Sequence, residues 1–246
     1  KRKFVSYSSG MFRLIFWLIL FAVNFTNVQA QIVNIESSRI QTDTLGWAGS
    51  GGASVSFTKN TQQVICIDLQ AHLQHKSEKN LWLILADYGF LKGGQEKYLQ
   101  NSFGHLRFNH KVNKILRWEA FAQVQSNHIM QIKSRVLTGT GPRFKLFSSD
   151  KFRLYAATLM MYEYEVEKTK EELSHHNLRS SSYISFTYLP ADNIELVSTV
   201  FYQPQVGHMY DFRVFNQTSF EVQATDWFSM HVKLNWLYDI RPAGTA

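Results

Sequence analysis

The chain has a single cysteine and no long apolar run, and these scarcities exclude several classes of protein. Cys66 is the only cysteine in 246 residues, so neither an internal disulfide nor a thiolate metal cluster can form. The longest apolar run, residues 14–23, has roughly half the length that a transmembrane helix needs. Positive charge is also modest: without the four cations that precede residue 31, the formal net charge falls from +7 to +3. This charge is scattered along the chain, which argues against nucleic-acid binding.

The first thirty residues have the three parts of a secretory signal peptide. Basic residues precede the apolar run, and Val28-Gln29-Ala30 forms a small-x-small cleavage site before Gln31. We therefore predict a signal peptide over 1–30, with Met11 as a candidate start, and a periplasmic lead-in over 31–45. The alternative, an uncleaved anchor helix, is disfavoured by the short run. The basic residues are Lys1, Arg2, Lys3 and Arg13.

From residue 46 onward, apolar and polar residues alternate with period two. Residues 151–167 show this best, because one parity carries Phe152, Met160 and Tyr162 while the other carries Arg153 and Glu163. Such alternation is typical of a β-strand with one apolar and one polar face. A strand this long, with charges on one face only, favours a transmembrane β-barrel over a soluble sandwich.

Polar turns divide the alternating region into eleven predicted strands. They cover 46–58, 63–74, 81–91, 102–112, 116–127, 135–147, 151–168, 178–189, 194–203, 210–224 and 227–240. Connections between them alternate between short and mostly longer ones, as expected of periplasmic turns and outer loops. Single-chain bacterial barrels have an even number of strands, so we predict an antiparallel up-and-down barrel of twelve. Residues 46–246 would then be a C-terminally truncated barrel without its last strand.

Aromatic residues recur near the strand ends on the apolar parity. Amphipathic rings suit the headgroup layer of a membrane, so this placement indicates two interfacial girdles. The alternative is the ordinary aromatic enrichment of soluble sheets. The residues are Trp47, Trp118, Phe152, Tyr188, Tyr202, Tyr210, Phe228 and Tyr238.

Several segments resemble the domain-of-unknown-function 481 family. The similarity lies in HLRFNHKVNKILRWEAFAQVQ at 105–125, LTGTGPRF at 137–144, MYEYE at 161–165 and LNWLYDIRPAG at 234–244. Members are described as salt-induced outer-membrane proteins, so the resemblance implies a barrel in the outer membrane of a Gram-negative bacterium. It implies no catalytic residues, because the shared motifs are structural.

Charged side chains collect on the inward parity of the predicted barrel. If strands six and seven pair about Ser149, Arg135 lies opposite Glu163 and Lys133 opposite Glu165. Two interpretations remain open, a charged constriction that selects solutes and a salt-bridge ladder that fills a narrow lumen. The predicted cluster comprises Arg135, Glu163, Glu165, Arg179, Arg107, Glu119 and Arg143. Nearby, Gly139 and Gly141 are expected to make room for a bulky neighbour or a bend.

Two other groupings offer weaker hypotheses. His175, His176 and His208 lie in predicted outer loops with two glutamates, but adjacent loop histidines lack the spacing of a metal site. His75 and Ser77 could form a base and nucleophile, but they lie in a predicted inner turn. We therefore predict no cofactor, no metal and no enzymatic activity.

The sequence favours an integral outer-membrane barrel of envelope-structural or narrow-pore type, and the family resemblance implies a link to osmotic or salt stress. The alternatives are an outer-membrane lipid hydrolase and an exported soluble barrel that binds an apolar ligand. A ligand-binding barrel would place apolar residues inward, whereas the inward parity here is charged. The expected partners are outer-membrane lipid, lipopolysaccharide and, during insertion, the barrel-assembly machinery.

Overall fold

The computed structural model describes residues 45–168, 173–225 and 227–241, which form one antiparallel sheet. Eleven strands follow one another in chain order, and each is hydrogen-bonded to the one before it. The strands are β1 (Gly46–Lys59), β2 (Gln63–Lys76), β3 (Asn80–Gly93), β4 (Glu96–Lys111), β5 (Leu116–Asn127), β6 (Ile132–Ser148), β7 (Phe152–Glu167), β8 (Ser174–Ala191), β9 (Ile194–Gln205), β10 (His208–Thr225) and β11 (Phe228–Asp239). The prediction of an all-β, up-and-down antiparallel fold is confirmed.

All eleven predicted strands are present, and β5 has the predicted bounds. The predicted signal peptide and nearly all of the lead-in lie outside the described residues. Within the described residues, no helix is long and apolar enough to span a membrane.

The prediction of longer loops at one end of the sheet is wrong for two of the connections. Residues 92–101 and 204–209 belong largely to strands, and two-residue turns at 94–95 and 206–207 join them. Gly94 and Gly207 have positive φ, the conformation that tight hairpin turns require. The polar residues that flank these turns belong to the paired strands β3, β4, β9 and β10 and do not form loops. Loop length therefore distinguishes the two ends of the sheet poorly. We name the ends by the turns they carry, the β2–β3 end and the β1–β2 end.

The sheet curls so that one face becomes an interior. Tyr183 on β8 donates a hydrogen bond to Glu119 on β5, three strands away. Arg213 on β10 reaches Glu163 on β7 in the same way. Opposite charges on β3 and β11, at Asp87 and Lys233, attract one another across the inner face. Strands β1 and β11 are the edges of the described sheet.

Burial follows the predicted parity. On β7 the inward residues Leu159, Met161 and Glu163 are buried, whereas the outward residues Met160 and Tyr162 are exposed. The eight predicted girdle aromatics are on the outward parity, and seven of them are exposed. Phe152, the eighth, is half-buried.

Sequence reasoning missed an apolar layer inside the curled sheet. Ala157, Leu159, Tyr183, Phe201 and Phe215 are buried against one another. Phe121 and Leu237 pack on this cluster from β5 and β11. The interior is therefore mixed, with an apolar band among its charges.

Two glycines on β6 allow close approach, as predicted. A Cβ on Gly139 would lie 2.5 Å from Cε1 of Phe121, so this glycine makes room for an aromatic ring. A Cβ on Gly141 would meet the backbone of β7, with the Cα of Leu159 at 2.7 Å and the carbonyl oxygen of Thr158 closer still. Backbone cannot move aside as the end of a side chain can.

Replacing Gly141 by alanine is expected to destabilise the fold by about 1–3 kcal/mol, the usual cost of overpacking. The free energy of unfolding in a denaturant titration measures this effect. Gly52→Ala on β1 is the matched control, because a Cβ there has no heavy atom within 4 Å. Equal stability of the two variants would show that β7 does not approach β6 as closely as described.

Candidate functional site

The most distinctive group in the interior is a carboxylate surrounded by three guanidinium groups. Glu163 on β7 has no exposed surface. Its carboxylate accepts hydrogen bonds from Nε of Arg135 at 2.6 Å, Nε of Arg179 at 2.9 Å and Nη1 of Arg213 at 2.6 Å. Since the three arginines come from β6, β8 and β10, one carboxylate ties four strands together.

Further carboxylates balance these arginines. Arg179 donates to Oδ1 of Asp211 at 2.9 Å, and Arg213 donates to Oδ2 of Asp239 at 2.7 Å. Glu165 lies 3.0 Å from Nε of Arg135. Charge-assisted hydrogen bonds of this kind are stronger than neutral ones, and they offset the cost of burying each ion. We call these seven residues the Glu163 network: Arg135, Glu163, Glu165, Arg179, Asp211, Arg213 and Asp239.

A second network surrounds Glu119 on β5, which is also fully buried. Its carboxylate accepts hydrogen bonds from Nη1 of Arg143 at 3.1 Å and from the hydroxyl of Tyr183 at 2.7 Å. Nη1 of Arg107 lies 3.7 Å away. The Glu119 network thus joins β4, β5, β6 and β8.

Position along β7 relates the two networks to the apolar layer. From the β2–β3 end, the inward residues are first Arg153 and Tyr155, then three apolar side chains, and then three glutamates. The apolar layer therefore lies beside the Glu119 network and before the Glu163 network. Both networks and the apolar layer are buried on the inner face of the sheet from β4 to β11.

All seven predicted cluster residues are buried on the inner face, but they belong to two networks. Arg135, Glu163, Glu165 and Arg179 are in the first, and Arg107, Glu119 and Arg143 are in the second.

The predicted register of β6 and β7 is wrong by two residues. Arg135 lies opposite Glu165, and Leu137 lies opposite Glu163. Ser148 pairs with Arg153, so the turn centres between residues 150 and 151 and not at Ser149. The irregularity at residues 145–147 recovers one residue of that offset, because a bulge displaces the register. The long Arg135 side chain still reaches both glutamates.

Asp211, Arg213, Asp239 and Tyr183 were not predicted members of the cluster. Residue parity could have placed them on the inner face, because the inward residues of β8, β10 and β11 all have odd numbers. Their contacts across several strands depend on how the sheet curls, and parity does not contain that information.

The weaker catalytic and metal hypotheses have no geometric support. The Ser77 hydroxyl contacts the backbone of Asn80 in the turn, and His75 packs against Trp47 at 4.6 Å between ring centroids. His175 and His176 lie on β8 and not in a loop, and alternation sends them to opposite faces. Among the described residues, no group of three potential ligands could hold a metal. The two glutamates of the metal hypothesis, Glu171 and Glu172, lie outside the described residues.

Comparison with protein families identifies the chain through these same strands. The family model "Protein of unknown function, DUF481" matches residues 49–246. The chain belongs to the DUF481 family. The resemblance seen in the sequence is therefore confirmed. No curated protein and no solved structure matches it.

The DUF481 match covers every member of both charge networks. It spans the sheet from within β1 to beyond β11. The family description assigns no function, so the function must be argued from the site.

Proposed function

We propose that this DUF481 protein is an integral outer-membrane β-barrel whose filled interior gives it an envelope-structural role. The observation that carries the proposal is the inverted distribution of polarity: charged residues are buried within the sheet, while large apolar residues are exposed outside it. Leu106, Ile184 and Leu234, for example, are 41%, 57% and 64% exposed. Water solvates such a surface poorly, whereas lipid chains solvate it well.

Aromatic rows at both ends of the outer face support the membrane proposal. Near the β2–β3 end, Trp82 packs on Phe108 with 4.5 Å between ring centroids. Near the β1–β2 end, Phe212 packs between Tyr202 and Tyr238. Aromatic girdles at two heights are typical of a barrel that crosses both membrane interfaces.

Polar residues on the outer face are compatible with lipid because they satisfy one another. The hydroxyl of Ser182 donates to Thr158 at 2.9 Å, and the hydroxyls of Ser198 and Thr218 are 2.8 Å apart. Asn216 donates to Ser198 and to the carbonyl of Thr199. Hydrogen-bonded polar groups cost less in an apolar environment than unpaired ones.

We further propose that a twelfth strand closes the sheet by pairing with β1 and β11. The attraction between Asp87 on β3 and Lys233 on β11, across the inner face, supports this proposal. Closure would pair the backbone N–H and C=O groups at both sheet edges, which lipid cannot hydrogen-bond. The inner face of β1 is exposed in the described sheet, and a twelfth strand would cover its edge.

Two features favour a structural role over a pore or an enzyme. Burial of both charge networks and of the apolar layer supports an interior that is filled along the wall from β5 to β10. Buried ion pairs are also screened little by external salt, which suits a protein that meets changing osmotic conditions. The link to salt stress is itself part of the proposal, since it comes from the resemblance.

Planar-bilayer recordings of the full-length protein test this role. A filled interior is expected to give no sustained conductance steps, although the protein should require detergent or lipid to stay in solution. Sustained steps would replace the structural role with the narrow-pore alternative. Full solubility without detergent would remove the membrane proposal itself, and release of fatty acid from the bilayer would favour the hydrolase.

A further inference from the structure

Four cationic side chains form a row across neighbouring strands at the β2–β3 end of the interior. Lys111 on β4 lies directly opposite Arg117 on β5, and Arg117 lies directly opposite Arg143 on β6. Lys79, in the turn before β3, is next to Lys111, whose backbone N–H donates to the Lys79 carbonyl at 2.7 Å. We call Lys79, Lys111, Arg117 and Arg143 the cation row.

This arrangement is unfavourable by itself. Directly opposed residues in an antiparallel sheet have Cβ atoms about 5 Å apart, and like charges at that distance destabilise the pairing. Ordinary sheets avoid such rows by alternating charge, as the Glu163 network does. Glu119 binds Arg143, so it offsets the charge at only one end of the row.

The cation row borders a cavity of about 370 Å³ at the same end of the interior. That volume is within the range of small-molecule pockets, about 300–1,000 Å³. Lys76 and Arg153 also line the cavity, and Glu78 is the one carboxylate among its lining residues. Glu195 on β9 attracts Arg153 from beyond that lining. Six cations therefore face a space with one lining acid.

Tyr155 holds two of the guanidinium groups in place. The guanidinium of Arg143 lies 4.1 Å from its ring centroid, and that of Arg117 lies 5.7 Å from it. Stacking on an aromatic ring orients the planar guanidinium and keeps its N–H groups at the edge, away from the ring face. Amide and hydroxyl groups of Asn80, Asn109 and Thr187 add neutral hydrogen-bonding partners to the wall.

We propose that this cavity binds a small soluble oxyanion of the phosphate class. Arg117 contacts its oxygens, while Lys79, Lys111 and Arg143 supply further attraction. The anion is soluble and not a lipid headgroup, because the cation row has inward parity whereas a headgroup would contact the outward one. The site holds whether or not the outer face meets lipid.

Calorimetric titration of inorganic phosphate into the full chain, in phosphate-free detergent buffer, tests the site. Saturable binding is expected, with the dissociation constant raised at least roughly tenfold in Arg117→Gln, since hydrogen bonds between charged groups are strong. A second test variant is Lys111→Gln. Its matched control is Lys97→Gln, because the two lysines lie at opposite ends of β4. The control should bind phosphate as the unchanged protein does.

Thermal unfolding gives a second readout that does not depend on Arg117→Gln folding. Phosphate should raise the midpoint of the unchanged protein, since a ligand of the folded state stabilises it, and should raise that of Lys111→Gln much less. Without phosphate, Lys111→Gln should be at least as stable as the unchanged protein, because the substitution removes like-charge repulsion.

Three results would overturn the proposal. The first is an absence of saturable phosphate binding, and the second is an equal loss of binding in Lys97→Gln and Lys111→Gln, which would indicate general charge attraction. The third is a thermal-unfolding midpoint that rises in nanodiscs containing phosphatidic acid, but rises neither with inorganic phosphate nor in nanodiscs of phosphatidylcholine. That result would assign the cations to a lipid headgroup.

Discussion

Replacing Glu163 by glutamine is expected to destabilise the protein by about 3–5 kcal/mol, the cost of removing one partner from a buried ion pair. The neutral amide retains the shape of the side chain but no longer balances the guanidinium groups of Arg135, Arg179 and Arg213. Since these cations remain buried, the variant retains their desolvation cost without the compensating charge. Stability is measured from the denaturant dependence of the tryptophan fluorescence of the refolded protein.

Glu96→Gln is the control for this substitution. Glu96 lies on β4 and is exposed, so the same chemical change there should alter stability by no more than about 0.5 kcal/mol. Were Glu163→Gln as mild as Glu96→Gln, the three arginines would have to be solvated. The interior would then be an open, hydrated lumen, and this result would favour the narrow-pore alternative.

Replacing Val200 by arginine tests the other half of the inverted arrangement. Val200 is on β9, 44% exposed on the outward parity, and between the two aromatic rows. If lipid chains contact this position, the charge should cost about 2–4 kcal/mol, as it does near the bilayer midplane of known barrels. The measurement is the free energy of unfolding of the protein folded into phospholipid vesicles.

Val112→Arg separates membrane depth from the loss of a valine. Val112 follows β4 at the β2–β3 end and is 54% exposed, so its arginine can reach the headgroup layer. The expected cost there is about 0–1 kcal/mol. If both arginine variants were equally stable, the outer face would be in contact with water, and the membrane proposal would fail.

The two substitutions probe one physical idea from opposite sides. In a water-soluble protein, a charged residue such as Glu163 is expected at the surface and an apolar residue such as Val200 in the core. Here the buried ions hold the strands together, and the exposed apolar surface is the basis of the membrane proposal. Charges of both signs surround Glu163, because an unpaired buried ion is costly.

The cation row is the exception to this balance. Lys111, Arg117 and Arg143 oppose one another where the Glu163 network alternates its signs. Because local conflicts of this kind tend to mark functional positions, the cavity beside the row is the place to look for a ligand.

Where apolar and polar residues alternate, as on β7, the sequence was sufficient to predict which residues face inward and outward, since side chains of a strand must alternate between the two faces. The up-and-down order followed as well, because short polar turns can join only adjacent antiparallel strands. Those predictions concern local geometry, which neighbouring residues determine.

Only the tertiary structure decided which charges meet. The position of the β6–β7 turn and one irregularity in β6 placed Arg135 opposite Glu165, and the curl of the sheet brought Arg213 to Glu163 as well as to Asp239. It also placed Tyr183 on Glu119 and gathered Leu159 and Phe201 into the apolar layer. Such contacts join strands that are not neighbours, so their distances depend on the curvature of the whole sheet, which no single strand's pattern contains.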